Sequence, residues 1–532
     1  MAGRLLTLWV FLLAAYGTVR YAMALGGLLV GRGAHLPWPW PWVVVLTVVT
    51  FVLGVESPEV RGVPARSRAA WRFLAWGHVV APGVLILAPL LGRDGPVLLW
   101  VALVGFGEAA LGRWIWPSVR GVIRRLDPGG VRVGRRKDIA RLPVEIGAQE
   151  RFLHVHVLGP TGSGKTSSVL LPLLAQDLDR PRIGVTVIDP KGDLYRGALA
   201  LCQRSGRTPL RFSPLEGESL TLNPLAGERE AVAEGLAYAL GRSFTGGHPF
   251  YDTLAQGVVR ASVLALKEVR GEATDLEELA RFLGDDDFRA EILHRSEDAV
   301  VRGYFRDQVQ RWSAQERTRN LAGIQSQLLG LLANPDLRRC LTGPGTLDLD
   351  RALATAQVVL CHLPVESLGA GAHAAGAFFL MQWQLAVFRR GASRAPQFLY
   401  ADEFQGYATP GFGEFLAQGR SFQAGAVLSH QHLGQLDGEL MQAVLANARN
   451  RVLLGGLSGA DIARLEDTLG TEPAWREVLD ARGAVRSRTR VERPRILPTE
   501  LRELPRGEAV CQLVENGRLT PPRRVRLPLV ET

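Results

Sequence analysis

The chain has 532 residues and a formal net charge of +10, with 62 lysine and arginine residues against 52 aspartate and glutamate residues. This length leaves room for a membrane segment and two folded domains, and the dispersed positive charge permits contact with nucleic acid or anionic lipid. The four cysteines lie far apart without CxxC spacing. That pattern excludes a disulfide framework and a cysteine zinc site, and it indicates a reducing, cytosolic compartment for the soluble part.

Four apolar stretches fill the first 116 residues. Each has about the 20 residues that a helix needs to cross a bilayer, so we predict a transmembrane anchor of about four helices over 1–116. Arginine-rich segments follow the second and fourth stretches, which places the N-terminus and the rest of the chain in the cytoplasm. The stretches are Leu5–Val30, Trp38–Val55, Phe73–Leu91 and Val97–Trp116.

Several charged residues in and after this anchor have two interpretations. Arg20 and Glu108 lie within apolar stretches. They either line a proton or substrate path, or extend to the membrane interface or pair between helices. Residues 117–150 are predicted to be a juxtamembrane basic linker, whose charges either bind anionic lipid headgroups or are solvated. The basic cluster consists of Arg132, Arg135, Arg136, Lys137 and Arg141.

Residues 159–166 read GPTGSGKT, a complete phosphate-binding loop. Arg151–Leu158 is predicted to be a buried strand and Thr166–Leu178 a helix, so the loop is a strand-to-helix turn whose N–H groups face an anion. Lys165 is one of only four lysines in a chain that otherwise uses arginine. A lysine suits this position because its compact ammonium reaches between β- and γ-phosphates, where a guanidinium is too broad. The predicted nucleoside triphosphate contacts are Gly159, Pro160, Thr161, Gly162, Ser163, Gly164, Lys165, Thr166 and Ser167.

Two further strands end in charged residues. Ile183–Ile188 leads into Asp189-Pro190-Lys191, which puts a second lysine at the carboxyl end of a strand, where open α/β sheets bind ligands. Ala395–Ala401 leads into Asp402-Glu403. Downstream of a phosphate loop, such an aspartate is expected to hold Mg²⁺ together with Thr166, and Glu403 to orient or deprotonate the attacking water.

Strand and helix patterns alternate over 151–226 and again over 344–532. This alternation predicts a nucleotide-binding domain in two parts, with a doubly wound parallel sheet of the RecA-like kind. Residues 227–343 show helical periodicity with few strand signals, so we predict an all-α insertion domain. The fold class is therefore α/β, with transmembrane helices preceding a P-loop NTPase domain. The other predicted strands are Gln357–Leu363, Gly425–Ser429 and Arg451–Gly455.

With these motifs in view, the chain resembles the type IV secretion coupling proteins, the TraG/TraD-like conjugation ATPases related to the FtsK and HerA pumps. The resemblance implies a homo-hexamer with ATP between subunits and a central channel for DNA. It further implies that Arg420 is an arginine finger and that Gln431 senses the γ-phosphate. The motifs that carry it, besides the phosphate loop, are DPKGDLY at 189–195, LNPL at 222–225, FLYADEF at 398–404, GRSFQAGAVLSHQHLGQL at 419–436 and LPRGEAV at 504–510.

The resemblance also implies a location, cofactors and partners. The expected protein is a multi-pass ATPase of the bacterial inner membrane that uses ATP and Mg²⁺, although the family commonly has two membrane spans where four are predicted here. Its expected partners are single-stranded DNA bound without sequence preference, relaxase or relaxosome proteins, type IV secretion channel components and inner-membrane lipid.

Two other functions remain open from the sequence. The first is a double-strand DNA pump of the FtsK/HerA kind, which usually carries a long linker and a C-terminal DNA-reading winged helix that this sequence lacks. The second is a docking receptor for secreted proteins, in which ATP only gates binding. The complete set of catalytic residues favours a motor over that receptor.

Overall fold

An eleven-stranded sheet forms the centre of the part of the chain that the structure describes. In this computed structural model the described residues are 130–137, 142–244, 249–391, 394–409, 411–479 and 485–529. The predicted transmembrane anchor lies outside these ranges. Among the described residues, no helix combines the length and the apolar character needed to cross a bilayer.

The strand bounds follow the chain from β1 to β15. Eleven of these strands form the main sheet, while β10 pairs only with β11 and β13 only with β14. The strands are β1 (Val131–Arg136), β2 (Pro143–Ile146), β3 (Val155–Leu158), β4 (Gly184–Asp189), β5 (Leu210–Phe212), β6 (Val358–His362), β7 (Gln397–Ala401), β8 (Ala424–His430), β9 (Asn450–Leu454), β10 (Thr471–Leu479), β11 (Val485–Pro494), β12 (Glu508–Gln512), β13 (Val514–Glu515), β14 (Arg518–Leu519) and β15 (Arg523–Arg526).

The main sheet has the strand order β2-β1-β15-β12-β9-β3-β8-β7-β4-β6-β5. From β9 to β5 all neighbours are parallel, which confirms the predicted parallel sheet for these strands. From β12 to β2 all neighbours are antiparallel. The sheet is thus mixed rather than wholly parallel. The segments that join β1 to β2 and β12 to β15 are too short for a crossover helix, so these strands run antiparallel.

Helices cover both faces of the sheet, and α1 is entered through a π-helical turn, Lys165–Leu170, directly after the phosphate loop. The helices are α1 (Leu171–Leu178), α2 (Asp193–Ser205), α3 (Arg229–Phe244), α4 (Pro249–Arg270), α5 (Leu276–Gly284), α6 (Asp286–Arg295), α7 (Ala299–Asp307), α8 (Ala314–Ala333), α9 (Pro335–Leu341), α10 (Leu349–Ala354), α11 (Val365–Leu368), α12 (Ala370–Arg389), α13 (Phe412–Gln418), α14 (Gly438–Asn447), α15 (Gly459–Leu469) and α16 (Pro498–Arg502). Short 3₁₀ turns connect several of them.

Strand alternation separates the apolar core into two layers. In β7, Leu399 faces the cluster that α12 and the helices α3–α9 cover, whereas Tyr400 faces the cluster beneath α1 and α2. Successive side chains of a strand point to opposite faces, so a fully apolar strand such as β7 must be covered on both sides. The helices α3–α9 fall within the predicted insertion, and no strand lies between 229 and 341 in the ranges described there.

The segment predicted as one strand, Arg151–Leu158, has two parts. Glu150–Leu153 forms a 3₁₀ turn, and β3 begins only at Val155. His154 separates them with a φ of 53°, and its ring accepts from Ala426 N at 3.0 Å and donates to Leu416 O at 3.0 Å. An apolar run does not distinguish a buried turn from a strand, which is why the sequence prediction began the strand too early.

Part of the predicted basic linker, 117–150, belongs to the sheet instead. Val131 and Val133 of β1 are buried between exposed charged residues, a strand pattern that the basic composition obscured. The cluster is also partly neutralised within the protein. Arg132 pairs with Glu145 at 3.3 Å, and Lys137 pairs with Glu508 at 2.7 Å.

A buried ion pair joins the turn before β3 to α1 and β7. Arg151 donates to both carboxylate oxygens of Asp177, at 2.7 and 2.5 Å, and Tyr400 donates to the same carboxylate at 2.6 Å. The side chains of Arg151 and Asp177 are 1% and 0% exposed. The guanidinium also lies 3.3 Å from the ring centroid of Phe398. Every charge in this network therefore has a partner, as burial requires.

Replacing Asp177 with Ala is expected to destabilise the protein by about 3–5 kcal/mol, because Arg151 then stays buried without its counter-ion. The measurement is the unfolding midpoint in urea. Glu145→Ala, which removes an exposed ion pair with Arg132, is the matched control and should cost about 1 kcal/mol or less. Equal effects of the two substitutions would contradict the role assigned to the buried pair.

Candidate functional site

The predicted site residues meet at the carboxyl edge of the parallel strands. The phosphate loop follows β3, Gln431 follows β8, Asp402-Glu403 follows β7, and Lys191 follows β4. These four strands are consecutive in the sheet, in the order β3-β8-β7-β4. Ligands of open α/β sheets bind in the crevice outside this edge, so the topology places all four segments around one candidate site.

The phosphate loop needs glycine for two separate reasons. Gly162 and Gly164 have φ values of 80° and 93°, in the left-handed region that other residues rarely adopt. Gly159 has no room for a side chain, since a Cβ there would lie 2.7 Å from Ser163 Oγ and 2.8 Å from Leu454 Cβ. Its N–H donates to the carbonyl of His430 at 3.3 Å, which attaches the start of the loop to β8.

Lys165 lies inside this loop. Its Nζ donates to the carbonyls of Gly159 at 2.7 Å and Pro160 at 3.2 Å, and the residue is 7% exposed. Burial lowers the pKa of Lys165, although the carboxylates of Glu403 and Asp402 oppose that shift. The ammonium is thus held where phosphate oxygens would meet the backbone N–H groups. Thr166 and Ser167, the next two predicted contacts, are half-buried in the first turn of the helix.

Asp402 has the properties of a magnesium ligand. It is 3% exposed, and burial together with the neighbouring carboxylate of Asp189 raises its pKa to about 6. No group of three or more His, Cys, Asp or Glu residues in the described ranges is arranged as a metal centre. Mg²⁺ beside a nucleotide needs only one or two protein ligands, because phosphates and water complete its octahedron. Asp402 and the Thr166 hydroxyl therefore fit this ion.

Glu403 follows Asp402 in a left-handed conformation with a φ of 46°. Its Oε1 accepts from Lys191 Nζ at 2.5 Å and from Gln431 Nε2 at 2.9 Å. Its Oε2 accepts from Gln405 Nε2 at 2.9 Å. Burial alone would raise the pKa of Glu403, but these hydrogen bonds hold it below the usual range. The carboxylate is therefore kept ionised and fixed in orientation, as a group that positions water must be.

Gln431 connects Glu403 to the phosphate loop. While its Nε2 donates to Glu403, its Oε1 accepts from Thr161 Oγ1 at 3.0 Å. Because the two ends of one side-chain amide have these partners, a change at the loop can be transmitted to Glu403 through a single residue. The γ-phosphate-sensing role that the resemblance implies for Gln431 stays a prediction.

Lys191 contacts Glu403 directly, a role that the sequence did not reveal. Its backbone N–H donates to Asp189 Oδ1 at 2.8 Å, and the N–H of Tyr195 donates to Asp189 Oδ2 at 2.9 Å. Asp189 is thus an internal cap that fixes both Lys191 and the start of α2. The feature of the sequence that could have pointed to Lys191 is that the chain has only four lysines.

Two buried histidines lie side by side on β3 and β8. The Nδ1–H of His430 donates to the carbonyl of His432 at 3.0 Å, so its Nε2 is left to accept from His156 Nε2 at 2.7 Å. Burial lowers the pKa of both rings, that of His430 to about 4. The neutral pair joins the strand before the phosphate loop to the strand before Gln431. The sequence gives no indication that His156 and His430, which lie in two separate apolar strands, are neighbours.

Arg420 lies away from this site. It is exposed in a 3₁₀ turn, Gly419–Phe422, that leads into the amino end of β8. The phosphate loop follows the carboxyl end of β3, which is the parallel neighbour of β8. A strand of this length spans about 20 Å, so Arg420 and the loop of the same subunit lie at opposite edges of the sheet.

Comparisons with known proteins agree with the resemblance seen in the motifs. Residues 127–229 match the family described as "Type IV secretory system Conjugative DNA transfer", which confirms the resemblance to type IV secretion coupling proteins. A search of the curated proteins found no match.

Solved structures of the plasmid coupling protein TrwB have a similar fold. The unbound bacterial conjugative coupling protein TrwBdeltaN70 is 19% identical, with 75% of this chain and 89% of that chain covered and a TM-score of 0.57. TrwB with a non-hydrolysable ATP analogue, ADPNP, is 19% identical, with 76% and 94% covered and a TM-score of 0.56. TrwB with ADP and Mg²⁺ is 18% identical, with 75% and 89% covered and a TM-score of 0.54. At this identity the likeness establishes the α/β fold.

Replacing Lys191 with Met is expected to lower kcat for ATP hydrolysis by about tenfold or more with little change in KM, because Lys191 acts through Glu403 and not on bound nucleotide. Lys191→Arg should restore part of kcat. Steady-state hydrolysis rates measure both. Arg338→Met is the control, since Arg338 is also exposed and has its own carboxylate partner, Glu277, at 2.5 Å within the helical insertion: the Arg338 and Lys191 side chains are 59% and 46% exposed. A rise in KM at constant kcat would contradict the assignment.

Proposed function

We propose that this protein is an ATP-driven coupling protein of the bacterial inner membrane that passes DNA, or a DNA–protein conjugate, to a type IV secretion channel. One observation carries the proposal. The phosphate loop with Lys165, the Asp402-Glu403 pair and Gln431 form one connected site on a fold similar to that of a conjugative coupling protein. A connected arrangement of this kind provides what hydrolysis of a nucleoside triphosphate requires.

The chain's own residues supply most of the proposed reaction. Lys165 and the loop N–H groups bind the β- and γ-phosphates of ATP. Glu403 orients a water molecule and takes its proton as the water oxygen attacks the γ-phosphorus. The bond from that phosphorus to the β–γ bridging oxygen breaks, which gives ADP and phosphate. Thr166 and Asp402 would hold Mg²⁺, which would supply positive charge to neutralise the charge on the phosphate oxygens.

The proposal includes a ring of six subunits with ATP at each interface. Its support within the chain is the position of Arg420, at the edge of the sheet opposite to the subunit's own phosphate loop. An exposed arginine at that edge is suited to reach the loop of a neighbouring subunit. There it would stabilise the charge on the phosphoryl group during transfer.

The proposed cargo is DNA bound through its backbone, in a single-stranded form and without sequence preference. The support is the composition, because all but four of the 62 basic residues are arginine, whose guanidinium recognises phosphate. Relaxase or relaxosome proteins would deliver this cargo, and channel components would receive it. Inner-membrane lipid would surround the predicted anchor at 1–116.

The proposal is tested by measuring ATP hydrolysis of the purified full-length chain with and without single-stranded DNA. Hydrolysis should rise with DNA of any sequence, and the stimulation should weaken as salt is raised to physiological concentration. Lys165→Ala should lose more than about 100-fold in rate, because a charge that stabilises the transition state is removed. It should also abolish conjugative transfer.

The alternatives give different results in the same experiment. Stimulation by double-stranded DNA alone would favour a pump of the FtsK/HerA kind. Binding of secreted proteins with no effect of DNA on hydrolysis would favour a docking receptor. A wild-type rate in Lys165→Ala would contradict any role of the loop in hydrolysis. Arg338→Met, in the helical insertion, is the control and should behave as wild type.

Arg420→Ala should bind ATP nearly normally and hydrolyse it about 1000-fold more slowly, the usual effect of losing an arginine finger. Lys165→Ala subunits keep the arginine, and Arg420→Ala subunits keep the loop. Mixed rings of the two variants should therefore regain activity at interfaces where the intact halves meet. The mixture is prepared with the membrane anchor present, and mixing is verified by two affinity tags. No recovery in verified mixed rings would contradict a role across the interface.

A further inference from the structure

Arg506 lies beside the phosphate loop, on the side away from Glu403. It belongs to LPRGEAV at 504–510, a motif to which the proposed reaction gives no role. Its Nε is 3.8 Å from the point where a Cβ on Gly164 would stand, and the residue is exposed. Within the described ranges no carboxylate pairs with its guanidinium. A free cation this close to a phosphate-binding loop is suited to bind an anion.

The segment that carries Arg506 is fixed to the same edge of the sheet as the loop. Gly507 has a φ of 84°, and the N–H of Glu508 donates to Pro505 O at 3.1 Å, so a tight turn precedes β12. Leu504 is buried and its carbonyl abuts Gly455, just past β9. Because β12 runs antiparallel to β9, this turn lies at the carboxyl edge. The position of Arg506 is therefore set by the backbone around it.

The strand order decides which part of a nucleotide Arg506 would meet. The loop follows β3, which has β8 on one side and β9 with β12 on the other. The residues suited to the γ-phosphate, Gln431 and Glu403, follow β8 and β7. A triphosphate is a linear chain, so its nucleoside end must extend toward β9 and β12. Arg506 is on that side.

We propose that Arg506 is a nucleotide-binding residue that pairs with the α-phosphate, at the end of the triphosphate opposite to the hydrolysed bond. A guanidinium presents two parallel N–H donors to a phosphate and remains charged at every relevant pH. Its contact would be the same before and after hydrolysis, because the α-phosphate is present in ATP and in ADP. Arg506 therefore contributes uniform binding and does not accelerate the chemical step. This inference rests on the proposed nucleotide binding.

The test measures dissociation constants of ATP, ADP, AMP and GTP for the full-length chain by calorimetric titration with Mg²⁺. In Arg506→Ala all four should weaken by about tenfold or more, the effect of losing one charge-assisted phosphate contact. The kcat at saturating ATP should stay within about twofold of wild type. Arg506→Lys should weaken binding less, because the charge remains without the paired donors.

Arg518→Ala is the matched control, since Arg518 is also exposed but lies in the hairpin after the far end of β12. It should bind all four nucleotides as wild type does. Unchanged binding by Arg506→Ala overturns the inference. Weaker binding of ATP and GTP with normal binding of ADP and AMP assigns the contact to the γ-phosphate. Weaker binding of the adenine nucleotides with normal GTP binding assigns it to the base. Either result overturns the inference. If the wild-type chain binds no nucleotide, the proposed function fails as well.

Discussion

The buried pair of Arg151 and Asp177 is the interaction on which the geometry of the site depends. Arg151 lies in the turn before β3, Asp177 in α1, and Tyr400 in β7, and one carboxylate joins all three. These elements hold both ends of the phosphate loop and the strand that leads to Asp402 and Glu403. Because buried charges tolerate little separation, the pair fixes the loop relative to the carboxylates.

A chain of hydrogen bonds connects the phosphate loop to Glu403. The unprotonated Nε2 of His430 accepts a hydrogen bond from His156 Nε2, while the carbonyl of His430 accepts one from the N–H of Gly159 at the start of the loop. Gln431 then joins Thr161 to Glu403 through the two ends of its amide. The His156–His430, Gly159–His430 and Thr161–Gln431 hydrogen bonds join neutral groups, and only the last link, from Gln431 to the Glu403 carboxylate, involves a charge. Such hydrogen bonds are directional, so they set the position of Glu403 relative to the loop.

Much of the nucleotide site was predictable because its chemistry is local. The loop GPTGSGKT and the acidic pair after an apolar strand are short motifs, and the structure places Lys165, Asp402, Glu403 and Gln431 at one edge of the sheet. Less predictable were features that depend on distant segments. Lys191 lies 212 positions from Glu403 in the sequence. The strand β1 lies in a segment that was predicted to be a linker because it is rich in basic residues.

The sequence by itself determined the phosphate loop and the alternation of strands and helices around it, because both follow from short motifs and from the periodicity of apolar residues. Only the tertiary structure decided that the sheet continues antiparallel, that Arg420 lies opposite its own loop, and that Arg506 lies beside Gly164. The physical reason is that strand order is set by packing and pairing between segments remote in the chain. Local propensity carries no information about which strands become neighbours.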